Sequence, residues 1–385
     1  MKKAKVEKLL VVATSDFKPR GGGISEMTHQ LVTHFVGAGR EAVVVARGQA
    51  GDAEFDAAAS YPVRRIQPAA RFEGIRNAIK EVKPDLVLVN VHMEGWLDAW
   101  RAIRKTDIPL ALFVYGQEIR RRPLTWPRNA LILRLSDGII GCSNFTRDYA
   151  ARTYLLRPGK CFAVPTGISA EYPGAVREDP TILQGIDHAD KKVVLTLCRL
   201  VQRKGVDRAL LAIEKVMARH KDLLYIIAGE GPLGGVLEKE IAARGLGRFV
   251  VMTGGVTEEQ KRTLYTRQDL FLMPNRTLPN GDFEGFGTTF LEASMYGKPS
   301  IAGRSGGSVE AVEDGVSGCL VDPESVDDIA AAVERILYTP GLGQKMGEAG
   351  RARTLRLYCY SQLVDTFIDS LESIAGRRRM NEEKK

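Results

Sequence analysis

The chain has 385 residues, of which 44% are hydrophobic and 26% charged, a globular composition and a length that suits two or more domains. No apolar run reaches the roughly 18 residues of a membrane span. Five scattered cysteines, none in a Cys-x-x-Cys pair, point to a reduced compartment and away from a structural zinc site. The formal charge is +8, and it is unevenly placed: residues 1–185 hold 27 Lys and Arg against 19 Asp and Glu, whereas residues 186–385 hold 28 of each. A basic first half predicts an anionic partner, either a phosphorylated substrate or an acidic membrane surface. Nucleic acid is the weaker reading, because no recognition module or array of stacking aromatics accompanies the charge.

In chain order, the run Leu9–Ala13 is too short for a signal h-region and reads as a first core strand. Strands are expected at Lys8–Thr14, Ala42–Ala46, Asp85–Val91, Pro109–Tyr115, Gly138–Cys142 and Cys161–Pro165. Helical patterns fall between them, among them Ile24–Val36, Phe72–Val82 and Phe145–Tyr154. A polar stretch, Glu171–Asp190, reads as an inter-domain linker. The alternation then restarts. Strands are expected at Val193–Cys198, Leu223–Ala228, Phe249–Thr253, Asp269–Pro274, Pro299–Ala302 and Cys319–Val321. Helices are expected at Gly205–Ala218, Leu233–Arg244, Glu258–Tyr265, Thr288–Tyr296, Val326–Leu337 and Ser361–Ile374, the last followed by a charged tail that reads as disordered. Repeated βαβ units imply an α/β chain of two doubly wound parallel-sheet domains, Rossmann-like, facing across a cleft.

The candidate chemistry lies where strands lead into helices. Arg199 ends the first strand of the second half and Lys204 follows at a helix start, so two cations and helix N–H groups can hold a diphosphate and stabilise it as it leaves. Glu230 and the Gly255-Val256 pair follow the next two strands. Glu284 and Glu292 flank Gly285-Phe286-Gly287-Thr288-Thr289, a glycine turn opening a helix; carboxylates there can accept hydrogen bonds from sugar and ribose hydroxyls. In the first half, Gly21-Gly22-Gly23 lets the backbone approach a phosphate, although it matches neither the dinucleotide nor the P-loop pattern. Tyr115 and Glu118 end a strand, and Arg120, Arg121, Arg122 and Trp126 follow as a basic, aromatic edge suited to a phosphorylated acceptor or lipid headgroups. There is no Asp-x-Asp and the five histidines are dispersed, so no metal site and no cofactor are expected.

Together these segments resemble the retaining glycosyltransferases of family 4, which have the GT-B architecture. The resemblance rests on Glu284-x7-Glu292, Arg199 with Lys204-Gly205, Gly229-Glu230-Gly231-Pro232, the first glycine loop, Val164-Pro165-Thr166-Gly167-Ile168 and Asp314-Gly315-Val316-Ser317-Gly318. The wording around Gly281–Gly287 and Ala302–Gly307 is most similar to the phosphatidylinositol mannosyltransferase branch. The resemblance implies an acceptor-binding domain over 1–175, a domain binding a nucleotide diphosphosugar over 186–360, a helix over 361–376 that crosses back to the first domain, and a disordered tail over 377–385. It also implies metal-independent transfer of a hexosyl group, from GDP-mannose or a UDP-sugar, to a lipid-linked, polysaccharide or other glycan acceptor. In that scheme Arg199 and Lys204 hold the diphosphate, Glu284 the sugar, Glu292 the ribose, and Gly22 and Gly23 offer backbone N–H groups. The protein would work in the cytoplasm or on the inner face of the cytoplasmic membrane. Alternative readings are an epimerase or phosphorylase on the same fold, or a catalytically silent nucleotide-sugar-binding subunit. Many family members carry His-Gly-x-Asp/Glu where this chain has Tyr115-Gly116-Gln117-Glu118, so Tyr115 replaces a histidine often placed near the reacting sugar.

Overall fold

A computed structural model describes residues 4–382 apart from 14–16, 20, 91–92, 122–123 and 175–176. The chain divides into two compact units, Met1–Gly167 with Cys359–Lys385, and Ile168–Tyr358. The first unit carries β1 (Lys8–Ala13), β2 (Glu41–Arg47), β3 (Val63–Ile66), β4 (Leu86–Asn90), β5 (Leu110–Val114), β6 (Gly138–Gly141) and β7 (Cys161–Ala163) in one sheet of order β3-β2-β1-β4-β5-β6-β7. Every pairing in it is parallel. β1, β4 and β5 are apolar and buried almost throughout, the pattern of strands covered by helices on both faces.

The second unit carries β8 (Lys192–Leu197), β9 (Leu223–Ala228), β10 (Val250–Gly254), β11 (Leu270–Met273), β12 (Ser300–Gly303) and β13 (Gly318–Val321), again all parallel, in the order β10-β9-β8-β11-β12-β13. Both sheets reverse strand order beside their first strand, at β1/β4 and at β8/β11. In open α/β sheets the crevice outside the carboxyl ends of the strands at such a point is where ligands bind.

Every strand read from the sequence is present within a residue or two of its expected limits. β3 was missed: its Val-Arg-Arg-Ile sequence is an edge strand without an apolar run. The helix Leu342–Leu357 was also missed, because three glycines interrupt its pattern. One of them, Gly347, lies so close to the end of the helix Thr288–Met295 that a Cβ there would come within 1.8 Å of the Gly297 carbonyl oxygen.

The boundary between the units falls at Gly167, earlier than the expected 175. Residues 168–174 are stitched into the second unit: Ile168 N donates to Tyr358 O at 2.9 Å, and Arg262 donates to Pro173 O at 2.7 Å. The last helix spans Tyr360–Glu382 and belongs to the first unit. It packs on the helix Gly23–Gly37, with Phe367 edge-on to Phe35 at 6.2 Å and Arg40 paired with Glu372 at 2.8 Å. The expected disorder from 377 is corrected. Arg378 reaches Asp137 at 3.2 Å and Thr106 O at 3.3 Å, and these contacts carry the helix past residue 376 to Glu382. Residues 383–385 lie outside the described part.

With the C-terminal helix in the first unit, the charge division between the units is sharper. The first unit holds 31 Lys and Arg against 21 Asp and Glu, +10; the second holds 24 against 26, −2.

Candidate active site

In the second unit the expected residues gather at the carboxyl edge of the sheet. Arg199 lies just beyond β8, exposed, and makes no ion pair among the described residues. Lys204 closes a short 3₁₀ turn, Gln202–Lys204, and is only 8% exposed. The turn is fixed by Gly205, whose φ of +72° is left-handed and whose absent Cβ would lie 2.0 Å from Pro274 O. No other residue fits there, so the position of Lys204 depends on this glycine.

The loop after β11 runs against this turn. Arg276 N donates to Arg203 O at 2.8 Å and brings Glu284 onto the cations. Glu284 is buried and pairs with Lys204 at 2.7 Å and with Arg203 at 3.5 Å. Burial alone would raise the Glu284 carboxyl, but the Lys204 and Arg203 charges outweigh it and hold the group below its usual value. The Glu284 carboxylate is thus held beside the Lys204 side chain at the β8/β11 switch point. Gly307 N donates to Glu284 O at 2.8 Å, so the glycine loop after β12 fixes the backbone of the glutamate.

The helix Thr288–Met295 begins after Gly287 and has no side-chain cap, which leaves the first-turn N–H groups of Thr288 and Thr289 available for an anion. Gly285 precedes it in the same turn. Phe286 faces inward, buried edge-on against Tyr358 at 5.3 Å, so only its backbone can meet a ligand. Glu292 accepts a 2.7 Å hydrogen bond from the Tyr265 hydroxyl and lies 3.5 Å from the Lys261 ammonium. At the far side of the edge, Gly255 N donates to the exposed Glu230 carboxylate at 3.3 Å, with Val256 next in the chain.

Sequence reading missed Arg203, Tyr265 and Lys261. Arg203 could have been noticed beside Lys204. Nothing marks Tyr265 or Lys261, which reach Glu292 only through the packing of the helix Glu258–Arg267.

In the first unit, Gly22 and Gly23 are exposed at the carboxyl end of β1, and the helix Gly23–Gly37 starts without a side-chain cap. Tyr115, expected near the reacting sugar, turns its side chain into its own unit. Its ring stacks on Phe113 at 4.9 Å and its hydroxyl is buried inside the unit beside Thr28, aimed away from solvent. Burial pushes this phenol well above its usual range. Tyr115 thus packs against its own unit through its ring and buries its hydroxyl there. Glu118 is likewise spent locally. Its carboxylate accepts from the backbone N–H groups of Tyr115 and Gly116 and closes the turn after β5, while burial raises its carboxyl.

The expected acceptor edge is also revised. Trp126 is half-buried and stacks on Tyr154 at 6.3 Å, with the Arg121 guanidinium 5.8 Å from its ring. It anchors the helix Trp126–Leu135 and is not a free aromatic. Leu124, 97% exposed, is the apolar side chain this loop presents. Arg120 is half-buried, and Arg122 lies outside the described residues.

No group of three His, Cys, Asp or Glu able to hold a metal ion occurs among the described residues, and no described helix is long and apolar enough to cross a membrane.

Two family models match the chain: Glycosyltransferase Family 4 over residues 21–172 and Glycosyl transferases group 1 over residues 180–353. The GDP-mannose-dependent alpha-(1-6)-phosphatidylinositol monomannoside mannosyltransferase of Mycobacterium tuberculosis is 32% identical over 361 residues, 89% of this chain and 92% of that one. The protein of the same description from Mycolicibacterium smegmatis is 30% identical over 367 residues, with the same coverage. Among solved structures, Anabaena Alr3699/HepE in complex with UDP superposes with a TM-score of 0.77 at 19% identity, over 95% of this chain and all of that one. WaaG, a glycosyltransferase involved in lipopolysaccharide biosynthesis, superposes with a TM-score of 0.68 at 17% identity, over 94% and 99%. With both family models matched, a relative above 30% identity along most of its length, and two Rossmann-like sheets of this order, the chain belongs to glycosyltransferase family 4 and has the GT-B architecture.

Proposed function

We propose that the protein is a retaining, metal-independent hexosyltransferase that moves mannose from GDP-mannose to a lipid-linked glycan acceptor. The observation that carries this reading is the buried Lys204–Glu284 pair at the switch point of the second sheet, with the exposed Arg199 on the preceding loop. A buried carboxylate held ionised is an acceptor for sugar hydroxyls. Two cations and an uncapped helix start are what a departing diphosphate needs.

In the proposed reaction the bond from the sugar C1 to the diphosphate oxygen breaks, leaving an oxocarbenium-like centre. Arg199 and Lys204 stabilise the charge that builds on the leaving nucleoside diphosphate. The acceptor hydroxyl oxygen bonds to C1 from the same face, and its proton passes to a phosphate oxygen of the leaving group. Glu284 orients the sugar, and Glu292, steadied by Tyr265 and Lys261, receives the ribose hydroxyls. Glu230 and the backbone of Gly255 and Val256 are assigned to the base. The backbone N–H groups of Gly22 and Gly23 are assigned to the donor phosphates.

The choice of GDP-mannose is supported by the names of the relatives, and the lipid-linked acceptor by the same names and by the +10 charge of the first unit. Arg121 and the exposed Leu124 support contact with an anionic membrane surface. A UDP-sugar donor is the competing choice. Thermal-shift titration with GDP-mannose and a panel of UDP-sugars separates them, since the true donor raises apparent stability by mass action. Stabilisation by a UDP-sugar alone would overturn the donor assignment. NMR of the product anomer tests retention, and unchanged rates in excess EDTA test metal independence.

A further inference from the structure

The turn that carries Glu284 is held from two sides, and both holds return to one short helix, Ser308–Ala311. The first hold is backbone. Gly307 N, immediately before that helix, donates to Glu284 O at 2.8 Å. The neighbouring Gly306, at φ +65°, approaches so closely that a Cβ there would lie 2.5 Å from the same oxygen. The second hold is aromatic. Phe286, 2% exposed, meets the ring of Tyr358 at 5.3 Å and 65°, the edge-to-face arrangement that aromatic pairs favour. The Tyr358 hydroxyl donates to Glu310 O at 2.7 Å, and Glu310 lies on the same short helix. That helix is tied to the sheet by Asn275, beyond β11, which donates to Ser308 Oγ at 2.9 Å. A closed path of contacts thus runs from Glu284 through Gly307, Glu310 and Tyr358 to Phe286.

Tyr358 is itself fixed on every side. The Arg353 guanidinium lies 5.0 Å from its ring centroid and donates to its hydroxyl at 3.0 Å and to Glu310 O at 2.9 Å. Arg353 is anchored in turn by Glu313 at 3.0 Å. The Tyr358 backbone donates to Thr354 O and accepts from Ile168 N, each at 2.9 Å. A phenol that only filled the core would need one acceptor for its hydroxyl. Here ring, hydroxyl and both backbone groups are held, and the residue so held abuts the donor turn. Phe286 stands between Glu284 and the uncapped N–H groups of Thr288 and Thr289, so a shift of its ring moves the carboxylate and the helix start together. We propose that Tyr358, clamped by Arg353, is a positioning residue of the donor site, fixing residues 284–289 in the form that receives the diphosphosugar. The role rests on the donor reading of this sheet edge, because Tyr358 acts only through the turn.

The test compares Tyr358→Leu, which removes the ring, with Tyr358→Phe, which keeps it, and with Ile329→Ala, a buried substitution on the helix Val326–Tyr338. Amide hydrogen exchange of the full-length protein without ligand reads the turn directly. In Tyr358→Leu the amides of residues 286–291 should exchange at least about tenfold faster than in wild type, with those of β8 and β9 changed less. Tyr358→Phe should lie nearer wild type, and Ile329→Ala should not single out the turn. Calorimetric titration with GDP and with UDP reads the consequence. The Kd of whichever nucleotide binds wild type should rise at least about tenfold in Tyr358→Leu and largely recover in Tyr358→Phe. Loss of folded protein lowers the fitted stoichiometry and leaves Kd unchanged, so misfolding does not mimic this result. A turn that does not loosen, an unchanged Kd, or equal weakening in the two Tyr358 variants would overturn the role. Wild-type protein that binds neither nucleotide would overturn the donor reading itself, an outcome distinct from a turn that does not loosen.

Discussion

The two units are built on the same plan and use charge in opposite ways. Both are parallel sheets that reverse order beside their first strand. In the second unit, whose net charge is −2, the cations at the switch point are few: buried Lys204 and half-buried Arg203 meet Glu284 there, and Arg199 beside them is exposed. In the first unit, whose net charge is +10, the residues at the corresponding edge are bare glycines, an inward tyrosine and a carboxyl spent on its own turn. On the proposed reading, net charge marks the unit that meets an anionic surface, while compensated charge marks where the donor is held. An isolated buried ion has a large desolvation cost, and a chain retains one only where a partner and a geometry justify it.

The largest effect that would break this contrast comes from Lys204→Ala. Turnover should fall by about 10²–10³-fold, and the unpaired Glu284 should cost about 3–5 kcal/mol of stability, measured by initial rates and urea unfolding. Truncating both partners should restore part of that stability but none of the rate; a double variant as unstable as the sum of the singles would deny the coupling.

Arg199→Ala should behave differently because the residue is exposed. We expect turnover to drop by about 10–10²-fold with stability within about 0.5 kcal/mol of wild type. Wild-type rates would remove Arg199 from the diphosphate site.

A pH titration sharpens the same pair. Glu284 has a folded-state pKa below its unfolded value, so its contribution to stability is complete above the usual carboxylate value of 4.5 and is lost as pH falls through the folded pKa. The stability difference between wild type and Glu284→Gln should therefore be constant near neutrality and shrink below about pH 4.5. A difference independent of pH would mean that the pair is not ionised.

Smaller effects test the positioning of Glu292 and the burial of Tyr115. Tyr265→Phe should raise the KM for donor several-fold with little change in kcat, at a cost of about 1 kcal/mol for the lost hydrogen bond. Tyr115→Phe should change stability and activity least, since the hydroxyl it removes is buried and unused by the site. A tenfold loss of kcat there would return Tyr115 to the reacting centre.

What the sequence determined by itself is the part of the fold set by local periodicity. Apolar runs of five or six residues alternating with amphipathic segments specify βαβ units, and these place Arg199, Lys204 and Glu230 after strand ends and Glu284 ahead of a helix start. Those residues were legible because the turns that hold them are local. The tertiary structure decided what depends on distant partners. Lys204 and Glu284, far apart in the sequence, become an ion pair only when β8 and β11 are neighbours. Tyr265 reaches Glu292, and Arg377 reaches the Pro158 turn, through packing that leaves no periodic trace. Tyr115 looked like a catalytic stand-in because its position in the motif is sequential, while the direction of its side chain is set by Phe113 and Thr28. Burial and pairing are properties of the folded neighbourhood, and a single sequence carries them only where neighbours in space are also neighbours in the chain.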